Sequence, residues 1–502
     1  MVKHFIGNIL LSSNMAELQI SNQSGKIIEA VKRSLTEVDL RKSKQKFSPD
    51  LVQRTLEQLQ RFNQLLRDYG VIEVYLFGTE RLSRIVNAVY LVDQIESETG
   101  LRLKWLNANQ ESYYRQIAMR ANGDNINDML AQNVFVMGMT SDRLDLGYYE
   151  AQQFRFNQHS AIGPIRLAQT INQLAVETVD QMAFTNEYIS SKMADFWHML
   201  PEHQKSETLI IQGSEMLQKI LLSDQASSTF LNQQHLDTLL HDFNLMSDQA
   251  VSDRYHIEVS QVPFALTEML LVEHVRQAIG AKQIYIVRLN VLDGIVANLS
   301  RHQNGEKDIM TAARGISDRY LVEQQHRDVV LDFAWQLFDR LKRVHRLENR
   351  DRLLLGVAAL VHDVGSFINS QRHYQYSEEI LKGIDFYGLS TTEQRMIAAI
   401  ARYHSAEVPD SNLQEVQEFS PVQRIRIAKL SALLRLADAL DDSRRQKITK
   451  LSISLKDQNI VVVASSEQDL QLEILVFNQK ARFFESVFGR AVKLKQRRQH
   501  FS

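Results

Sequence analysis

Hydrophobic and polar positions alternate along residues 1–125 in a pattern typical of strands followed by helices. The segments HFIGNILLS and AELQISN predict two strands that form an antiparallel hairpin. DLVQRTLEQLQRFNQLLRDYG carries apolar residues at helical spacing and predicts a helix that ends at Gly70. The short apolar run VIEVYLFGT predicts a buried strand, so we expect this segment to form an α/β unit.

The same kind of pattern resumes from NVFVMGMTSDRLDLGYYE to about residue 300. That first stretch predicts a second hairpin, and long helical stretches follow it. ETLIIQGS and QIYIVRL predict two further strands. We therefore expect two similar α/β halves before the pattern changes.

After RHQNGEKDIMTAARG the strand signals stop, and residues 318–445 are almost wholly amphipathic helix. The tail returns to alternation in KLSISLKDQNIVVVASSEQDLQLEILVF, which predicts two or three strands. QKARFFESVFGRAVKL then predicts a final helix. The predicted fold class is α/β plus α, with domains at 1–130, 131–305, 310–445 and 446–502.

Composition narrows the class of protein. A length of 502 residues, with 44% hydrophobic and 24% charged residues, is typical of a multidomain globular chain. The net charge of −2 predicts no attraction of the whole chain to DNA or to an anionic membrane, and no apolar run approaches the roughly 18 residues of a membrane span. The chain has no cysteine, which excludes disulfides and thiol chemistry and fits a cytoplasmic location.

Histidine and aspartate residues form an ordered set in the helical region. His326 opens one helix, His362 and Asp363 follow the apolar run LLLGVAALV, and Asp438 lies in the apolar helix LLRLADALDD. Neighbouring positions on a helix diverge by about 100°, so the adjacent pair reaches one ion only if other helices supply the remaining ligands. A carboxylate on an apolar helix face also needs a partner, and a cation provides one.

Imidazole and carboxylate ligands suit the divalent ions used in phosphoryl chemistry, so these four residues are candidate ligands for Mg²⁺ or Mn²⁺. His373 and His404 lie between them in the sequence and are candidates for a second ion or a phosphate contact. The alternative is that each histidine is an ordinary core or surface residue. The basic stretches DDSRRQKITK and KLKQRRQH are candidate polyanion contacts, although runs of this kind more often form a solvated surface.

Several of these segments resemble the C-terminal half of the exopolyphosphatase and guanosine-pentaphosphate phosphohydrolase (Ppx/GppA) family. They are HRDVVLDFAWQLFDRL, AALVHDVGSFIN, IAAIARYHSAEVP, LLRLADALDDSR and the tail from ISLKDQNIVVV to FFESVFGRAVKL. The ordered H, HD and D positions also resemble the HD superfamily of metal-dependent phosphohydrolases. The resemblance implies two ribonuclease-H-like (actin/hexokinase-type) domains, a helical HD-like domain, a small α/β C-terminal domain and a homodimer.

The resemblance also implies a catalytic cleft between the two N-terminal domains, with glycine-rich turns for phosphate and carboxylates for metal or water. The first family turn corresponds to LLSSNM, in which Leu10 replaces an aspartate while Ser13 and Asn14 are kept. The segment with the family's general base corresponds to NANQESYY, which places Gln110 at that position and Glu111 next to it. A glutamine cannot accept a proton from water at neutral pH, so Glu111 would have to replace it.

The two remaining family turns are also altered. VMGMTSDR keeps Gly138 and Ser141 of the second turn, and QGSEML keeps Gly213 and Ser214 of the third. These residues are the candidates for phosphate binding in the cleft. Most of the glycines and acidic residues of the family pattern are replaced.

Three functions follow as hypotheses. The first is a phosphoanhydride hydrolase of exopolyphosphatase type that acts on polyphosphate or guanosine pentaphosphate in the N-terminal cleft. The second moves hydrolysis to the HD-type metal site of the helical region. The third is a protein without catalysis that binds polyphosphate or a guanosine polyphosphate and regulates an active relative.

Overall fold

The structure is a computed structural model, and it describes residues 4–12, 15–35, 46–121, 124–140, 143–174, 181–198, 205–223, 226–300, 304–405, 416–456 and 459–498. The chain divides into two compact units, Met1–Gly305 and Glu306–Ser502, here called the N-terminal and C-terminal units. The finer division into four domains remains a prediction.

The N-terminal unit contains a five-stranded sheet in the order β3-β2-β1-β4-β5. Its strands are β1 (Phe5–Leu11), β2 (Met15–Asn22), β3 (Ile27–Ser34), β4 (Glu73–Gly78) and β5 (Leu103–Trp105). Strands β1, β2 and β3 pair antiparallel, while β1 with β4 and β4 with β5 pair parallel. The helices are α1 (Pro49–Asp68), α2 (Glu80–Ser83), α3 (Ala88–Thr99), α4 (Ala108–Ala121) and α5 (Asp124–Leu130).

A second, six-stranded sheet of the same unit has the order β10-β11-β9-β6-β7-β8. Its strands are β6 (Val134–Met139), β7 (Leu144–Glu150), β8 (Gln153–Ser160), β9 (Thr208–Gln212), β10 (Ser228–Asn232) and β11 (Gln283–Val287). Its helices are α6 (Pro164–Leu174), α7 (Gln181–His198), α8 (Glu215–Leu221), α9 (Gln233–Leu245), α10 (Asp248–Tyr255), α11 (Val262–Ile279) and α12 (Val291–Ser300). Both predicted hairpins are confirmed, as β1 with β2 and β6 with β7.

Strand β1 shows why the sequence pattern is continuous there rather than strictly alternating. Ile9 and Leu11 pack into one hydrophobic cluster, and Leu10 packs into another that includes Leu292 of α12. A strand covered on both faces buries every side chain, so its apolar residues form an unbroken run. The predicted helix before Gly70 is α1, which begins after the N-cap Ser48 and ends at Asp68.

Seven α-helices are described at the start of the C-terminal unit. They are α13 (Asn304–Arg319), which starts at the unit boundary, α14 (Gln324–Arg340), α15 (Lys342–His345), α16 (Asn349–Val361), α17 (His373–Gly383), α18 (Thr391–Arg402) and α19 (Pro421–Ala439). A three-stranded sheet in the order β12-β13-β14 follows, with β12 (Lys450–Lys456), β13 (Asn459–Ser466), α20 (Gln471–Phe488) and β14 (Val492–Arg498). None of the described helices is long and apolar enough to cross a membrane.

The tail differs from the prediction in two places. LQLEILVF, predicted as a possible third strand, is the first part of α20, and the end of the predicted helix is strand β14. Leu472 and Leu475 are exposed and produced the misleading alternation. The buried positions Glu473, Phe477 and Phe484 have helical spacing, and the buried ion pair of Glu473 with Lys447 hid that face from a hydrophobicity pattern.

Candidate metal centre

The turn at His362 and Asp363 is held in place from both sides. Helix α16 is almost completely buried from Leu353 to Val361 and ends directly before this pair. The Ser377 hydroxyl donates to the His362 carbonyl at 2.6 Å and accepts from the Gly365 amide at 2.9 Å. A Cβ on Gly365 would lie 2.0 Å from the His373 carbonyl oxygen, so only glycine lets α17 approach this closely.

Four histidines converge near this turn, and each has its Nδ1 atom against an oxygen. The contacts are His362 to the Ala359 carbonyl at 2.8 Å, His373 to the Ser370 carbonyl at 2.9 Å, His404 to the Ala401 carbonyl, and His326 to Asp441 Oδ2 at 2.9 Å. A carbonyl oxygen only accepts, so Nδ1 of the first three rings must carry the hydrogen. The Nε2 atoms are therefore the ones available to a ligand.

The first group of facing atoms consists of His326 Nε2, His362 Nε2 and Asp363 Oδ1. All three atoms are buried and have no hydrogen-bond partner. His362 Nε2 lies 3.7 Å from Asp363 Oδ1 and 3.7 Å from Asp438 Oδ1, and His326 Nε2 lies 3.3 Å from the same Asp438 oxygen. Buried polar atoms without partners are costly, so three of them aimed at one point indicate a missing ligand.

A second group shares Asp363 with the first. Asp363 Oδ1 lies 3.5 Å from His404 Nε2 and 3.6 Å from His373 Nε2, and the two imidazole nitrogens are 3.1 Å apart. Within each group of three, the ligand atoms are all within 4.8 Å of one another. The six residues His326, His362, Asp363, His373, His404 and Asp438 are called the histidine–aspartate cluster below.

Basic side chains hold the outer oxygens of both carboxylates. Arg444 donates to Asp363 Oδ2, and Lys480 of α20 donates to Asp438 Oδ2. The cluster opens into a pocket of about 410 Å³. Its lining residues are His326, Asp363, His373, His404, Ser405, Arg435, Asp438, Asp442, Arg444, Gln479 and Lys480.

The charges of the cluster set its protonation. Burial lowers the pKa of His326, but the carboxylates of Asp438 and Asp441 on either side outweigh burial and raise the pKa to about 9. Burial lowers the pKa of His362 to about 4, so this ring is neutral. The surrounding cations hold the pKa of both Asp363 and Asp438 well below the usual range in spite of burial, so both are carboxylates.

The donor set fits a divalent ion. Neutral imidazole nitrogens and ionised carboxylate oxygens are the ligands of borderline and hard cations, and Nδ1 of His362, His373 and His404 faces a carbonyl oxygen, which leaves Nε2 pointing inward. His326, whose pKa is raised to about 9, would have to release a proton when an ion binds. A dinuclear arrangement is compatible with the two groups because Asp363 belongs to both. Among the described residues, no group of this kind occurs in the N-terminal unit.

Gln110 and Glu111, the candidates for the general base of the N-terminal cleft, both have partners within their own unit. Gln110 exchanges hydrogen bonds with Asn107 at the start of α4, which is a capping role. Glu111 is buried, pairs with Arg115 at 3.0 Å and accepts from the Glu80 amide at 2.8 Å. Burial raises the pKa of Glu111, and Arg115 partly offsets that rise.

The predicted phosphate turns lie partly outside the described residues, which is the case for Ser13, Asn14 and Ser141. Gly138 is described and lies in β6, paired with Asp145 of β7. Asp145 in turn forms an ion pair with Arg143 at 2.6 Å. The described part of this turn therefore contains a carboxylate that an arginine already neutralises.

Gly213 and Ser214 form the turn before α8. Gly213 has φ of +73°, and a Cβ there would lie 2.5 Å from the Met139 carbonyl oxygen. The Ser214 hydroxyl donates to Glu268 at 2.6 Å, and the amides of Met216 and Leu217 donate to the same carboxylate at 3.1 Å. In this structure Glu268 occupies the donors that a phosphate would use.

Three residues that contact the candidate metal ligands are absent from the ligand set that the sequence predicts. Asp441 follows LLRLADAL directly, so the apolar helix with a doubled aspartate was an available signal. Arg444 lies in the basic stretch DDSRRQKITK, which was noted only as a polyanion contact. Lys480 had no signal, because its proximity depends on how α20 packs on α19.

The mixed sheets of the N-terminal unit define an actin-like α/β fold, accompanied by a large helical C-terminal region. A model of the Ppx/GppA phosphatase family matches residues 19–248, and a model of Ppx/GppA phosphatase domain III matches residues 310–479. The chain belongs to the Ppx/GppA phosphatase family, as the sequence resemblance predicted.

Individual relatives match over shorter stretches. The guanosine-5'-triphosphate,3'-diphosphate pyrophosphatase of Aeromonas hydrophila is 27% identical over 183 residues, which is 36% of this chain and 34% of that protein. The protein of the same description from Pseudoalteromonas translucida is 26% identical over 184 residues, or 36% of this chain and 35% of that one. The match thus spans about a third of these curated relatives.

Among solved structures, the Aquifex aeolicus PPX-GPPA enzyme aligns with a TM-score of 0.50 and 15% identity. The alignment covers 59% of this chain and 99% of that one. At this identity the likeness shows a shared fold.

Proposed function

We propose that the C-terminal unit carries a divalent-metal-dependent phosphohydrolase site of the HD type, formed by the histidine–aspartate cluster. The observation that carries this proposal is the set of three buried ligand atoms, on His326, His362 and Asp363, that face one another without hydrogen-bond partners. The carbonyl oxygens against Nδ1 of His362, His373 and His404 support it, because they leave Nε2 of these three rings facing the Asp363 carboxylate.

His326, His362, Asp363 and Asp438 would hold one ion, and Asp363, His373 and His404 would hold a second. A divalent ion supplies Lewis acidity toward phosphoryl oxygens and acidifies bound water for attack on phosphorus. The protein fixes the rings through their Nδ1 bonds and the two carboxylates through Arg444 and Lys480. Of the two predicted ions, Mn²⁺ suits this imidazole-rich set better than Mg²⁺.

The proposed substrates are phosphoanhydrides, with inorganic polyphosphate and guanosine pentaphosphate as the two to test first. Family membership supports this choice, and the names of the Aeromonas and Pseudoalteromonas relatives refer to hydrolysis of a guanosine polyphosphate. Hydrolysis would place a water oxygen on phosphorus and release the bridging oxygen with a proton.

Phosphate release from both substrates tests the proposal, with Mn²⁺ and Mg²⁺ compared and with Asp363→Ala beside the wild type. We expect Mn²⁺-dependent turnover that Asp363→Ala abolishes. Equal turnover by Asp363→Ala would overturn the assignment. Tight binding of either substrate without turnover would favour the non-catalytic, regulatory alternative.

The second candidate is hydrolysis in the cleft of the N-terminal unit. The match of the family model to residues 19–248 favours it. Gln110 and Glu111, with Gly138, Gly213 and Ser214, would serve there, and Glu111 would have to leave Arg115 to act as a base. Loss of turnover in Glu111→Gln, with Asp363→Ala fully active, would establish this candidate in place of the first.

A further inference from the structure

We propose that Lys480 and Arg444 are the residues that bind the oxygens of the reacting phosphate, and that they select a terminal, doubly charged phosphate over a phosphodiester. This inference rests on the proposed function, because it concerns the same pocket. Lys480 lies one residue beyond the end of the family domain match at residue 479, so the match does not extend to it.

Both cations are tied to the carboxylates that would bind metal. Lys480 donates to Asp438 Oδ2 and Arg444 to Asp363 Oδ2, whereas the inner Oδ1 atoms of the same carboxylates face the imidazoles. One oxygen of each carboxylate is thus directed to the ligand cluster and the other to a cation. The cations and the proposed ions therefore lie on opposite sides of the same carboxylates and do not compete for the same oxygen.

Metal binding changes the charge balance of the pocket. Without metal, each carboxylate charge is compensated by its lysine or arginine. Each divalent ion adds two positive charges, so the carboxylates then no longer balance the cations around them. Asp442 is the remaining carboxylate among the described residues that line the pocket. The metal-loaded pocket would have an excess of positive charge that an anionic ligand must balance.

The lining also limits what the pocket recognises. The described lining residues are all polar or charged, and they include neither an aliphatic side chain nor an aromatic one other than the cluster histidines. An apolar wall that could hold a nucleobase is therefore absent from the described lining. The volume of about 410 Å³ accommodates a phosphate with a short leaving group. Recognition would therefore concentrate on the phosphate itself.

A terminal phosphate presents three non-bridging oxygens and two negative charges, whereas a diester presents two oxygens and one charge. Two cations beside two ions match the first pattern better. Arg435, a third cation of the lining, donates to the backbone carbonyls of Tyr403 and Ser405. We assign it to holding that segment, which leaves Lys480 and Arg444 as the phosphate ligands.

Lys480→Met tests the inference, with Lys480→Arg to keep the charge and Lys447→Met as a matched control. Lys447 also forms a buried pair, with Glu473, and its side chain is 11% exposed, as is that of Lys480. Lys447 is not among the residues that line the pocket. Calorimetric titration would measure Mn²⁺ binding first and then inorganic phosphate binding to the Mn²⁺-loaded proteins.

We expect Lys480→Met to weaken phosphate binding roughly tenfold to a hundredfold, since a charge-assisted hydrogen bond is lost. Its Mn²⁺ affinity should equal or exceed that of the wild type, because a positive charge that repels the ion is removed. Lys480→Arg and Lys447→Met should bind phosphate like the wild type. Unchanged phosphate binding by Lys480→Met, or loss of its Mn²⁺ binding, would overturn the inference.

A kinetic comparison separates this inference from the proposed function. Lys480→Met should lower kcat/KM for p-nitrophenyl phosphate about tenfold, and change that for bis(p-nitrophenyl) phosphate less than about twofold. Wild-type turnover that Lys480→Met leaves intact for both esters refutes only the phosphate assignment. A wild-type protein that binds Mn²⁺ and phosphate without turnover refutes only the hydrolase. A wild type that binds no Mn²⁺ refutes both.

Discussion

Carboxylates lie in the interior of both units, but the groups that surround their oxygen atoms differ. In the N-terminal unit Glu111 pairs with Arg115, Asp145 pairs with Arg143, and Glu268 takes up the donors at the start of α8. In the C-terminal unit the inner oxygen of Asp363 faces ring nitrogens and has no hydrogen-bond partner. Asp145 Oδ2 also has no hydrogen-bond partner, but among the described residues only the oxygen of Asp363 lies within a group of candidate metal ligands.

The part of the chain that the family model matches can therefore differ from the part that carries the proposed reaction site. The family model matches residues 19–248, and in that range Glu111 and Asp145 each form an ion pair with an arginine. The histidine–aspartate cluster offers the more complete set of metal ligands. A fold can therefore be kept while the residues that make one of its clefts reactive are replaced.

The largest expected effect concerns metal stoichiometry. Asp363→Asn should lose both ions, with affinity lowered more than about a hundredfold, because this residue belongs to both ligand groups. His404→Gln should keep one ion, and Glu111→Gln should keep two. Equilibrium dialysis with Mn²⁺ measures the ratio of ion to protein, and retention of either ion by Asp363→Asn would contradict the shared role.

The next effect is on stability near the cluster. Gly365→Ala should lower the free energy of unfolding by about 3 kcal/mol, because the new Cβ would lie 2.0 Å from a backbone oxygen that cannot move aside easily. Gly383→Ala is the control, since nothing lies within 4 Å of its Cβ position. Urea denaturation of both variants gives the comparison, and equal stabilities would mean that the turn tolerates the shift.

Glu268 of the N-terminal unit should make the free energy of unfolding depend on pH. Burial raises its pKa to about 7 against the three hydrogen bonds that lower it, so the folded protein holds a proton that the unfolded chain releases above pH 4.5. The stability contributed by this group is full below about pH 4.5 and is lost as the pH rises to about 7, by about 2 to 3 kcal/mol.

Glu268→Gln should remove this decline between pH 5 and 8, measured by denaturation at each pH. The exposed Glu207 has a lowered pKa, so Glu207→Gln should leave the decline unchanged over that range. If the stability of Glu268→Gln declines over this pH range as that of the wild type does, the Glu268 carboxylate is already ionised at pH 5.

The smallest effect concerns Asp441, whose Oδ2 atom lies against Nδ1 of His326. Asp441→Asn should weaken Mn²⁺ binding about tenfold to a hundredfold, because the carboxylate that orients His326 through Nδ1 is replaced by an amide. Asp442→Asn is a neighbouring control that changes charge without touching the ring. Equal loss in both variants would indicate a general charge effect and would weaken the contrast between the two units.

Local patterns in the sequence predicted which residues of the helical region would come together. His362 and Asp363 end an apolar helix, and His326 and Asp438 lie in helices of the same region, so convergence in a helical bundle was a reasonable inference. The structure brings these four together with His373 and His404, and metal binding by them remains a prediction.

The sequence by itself determined much of the order of strands and helices outside the C-terminal tail, the family, and the residue types able to bind a metal. These follow from periodicity and motif, which are local properties of the chain. The tertiary structure decided that Asp363 Oδ1 is left without a hydrogen-bond partner, and it brought Lys480 and Arg444 to the outer oxygens of Asp438 and Asp363. Contacts between residues 42 and 81 positions apart arise from the packing of whole helices and turns, and no local pattern encodes them.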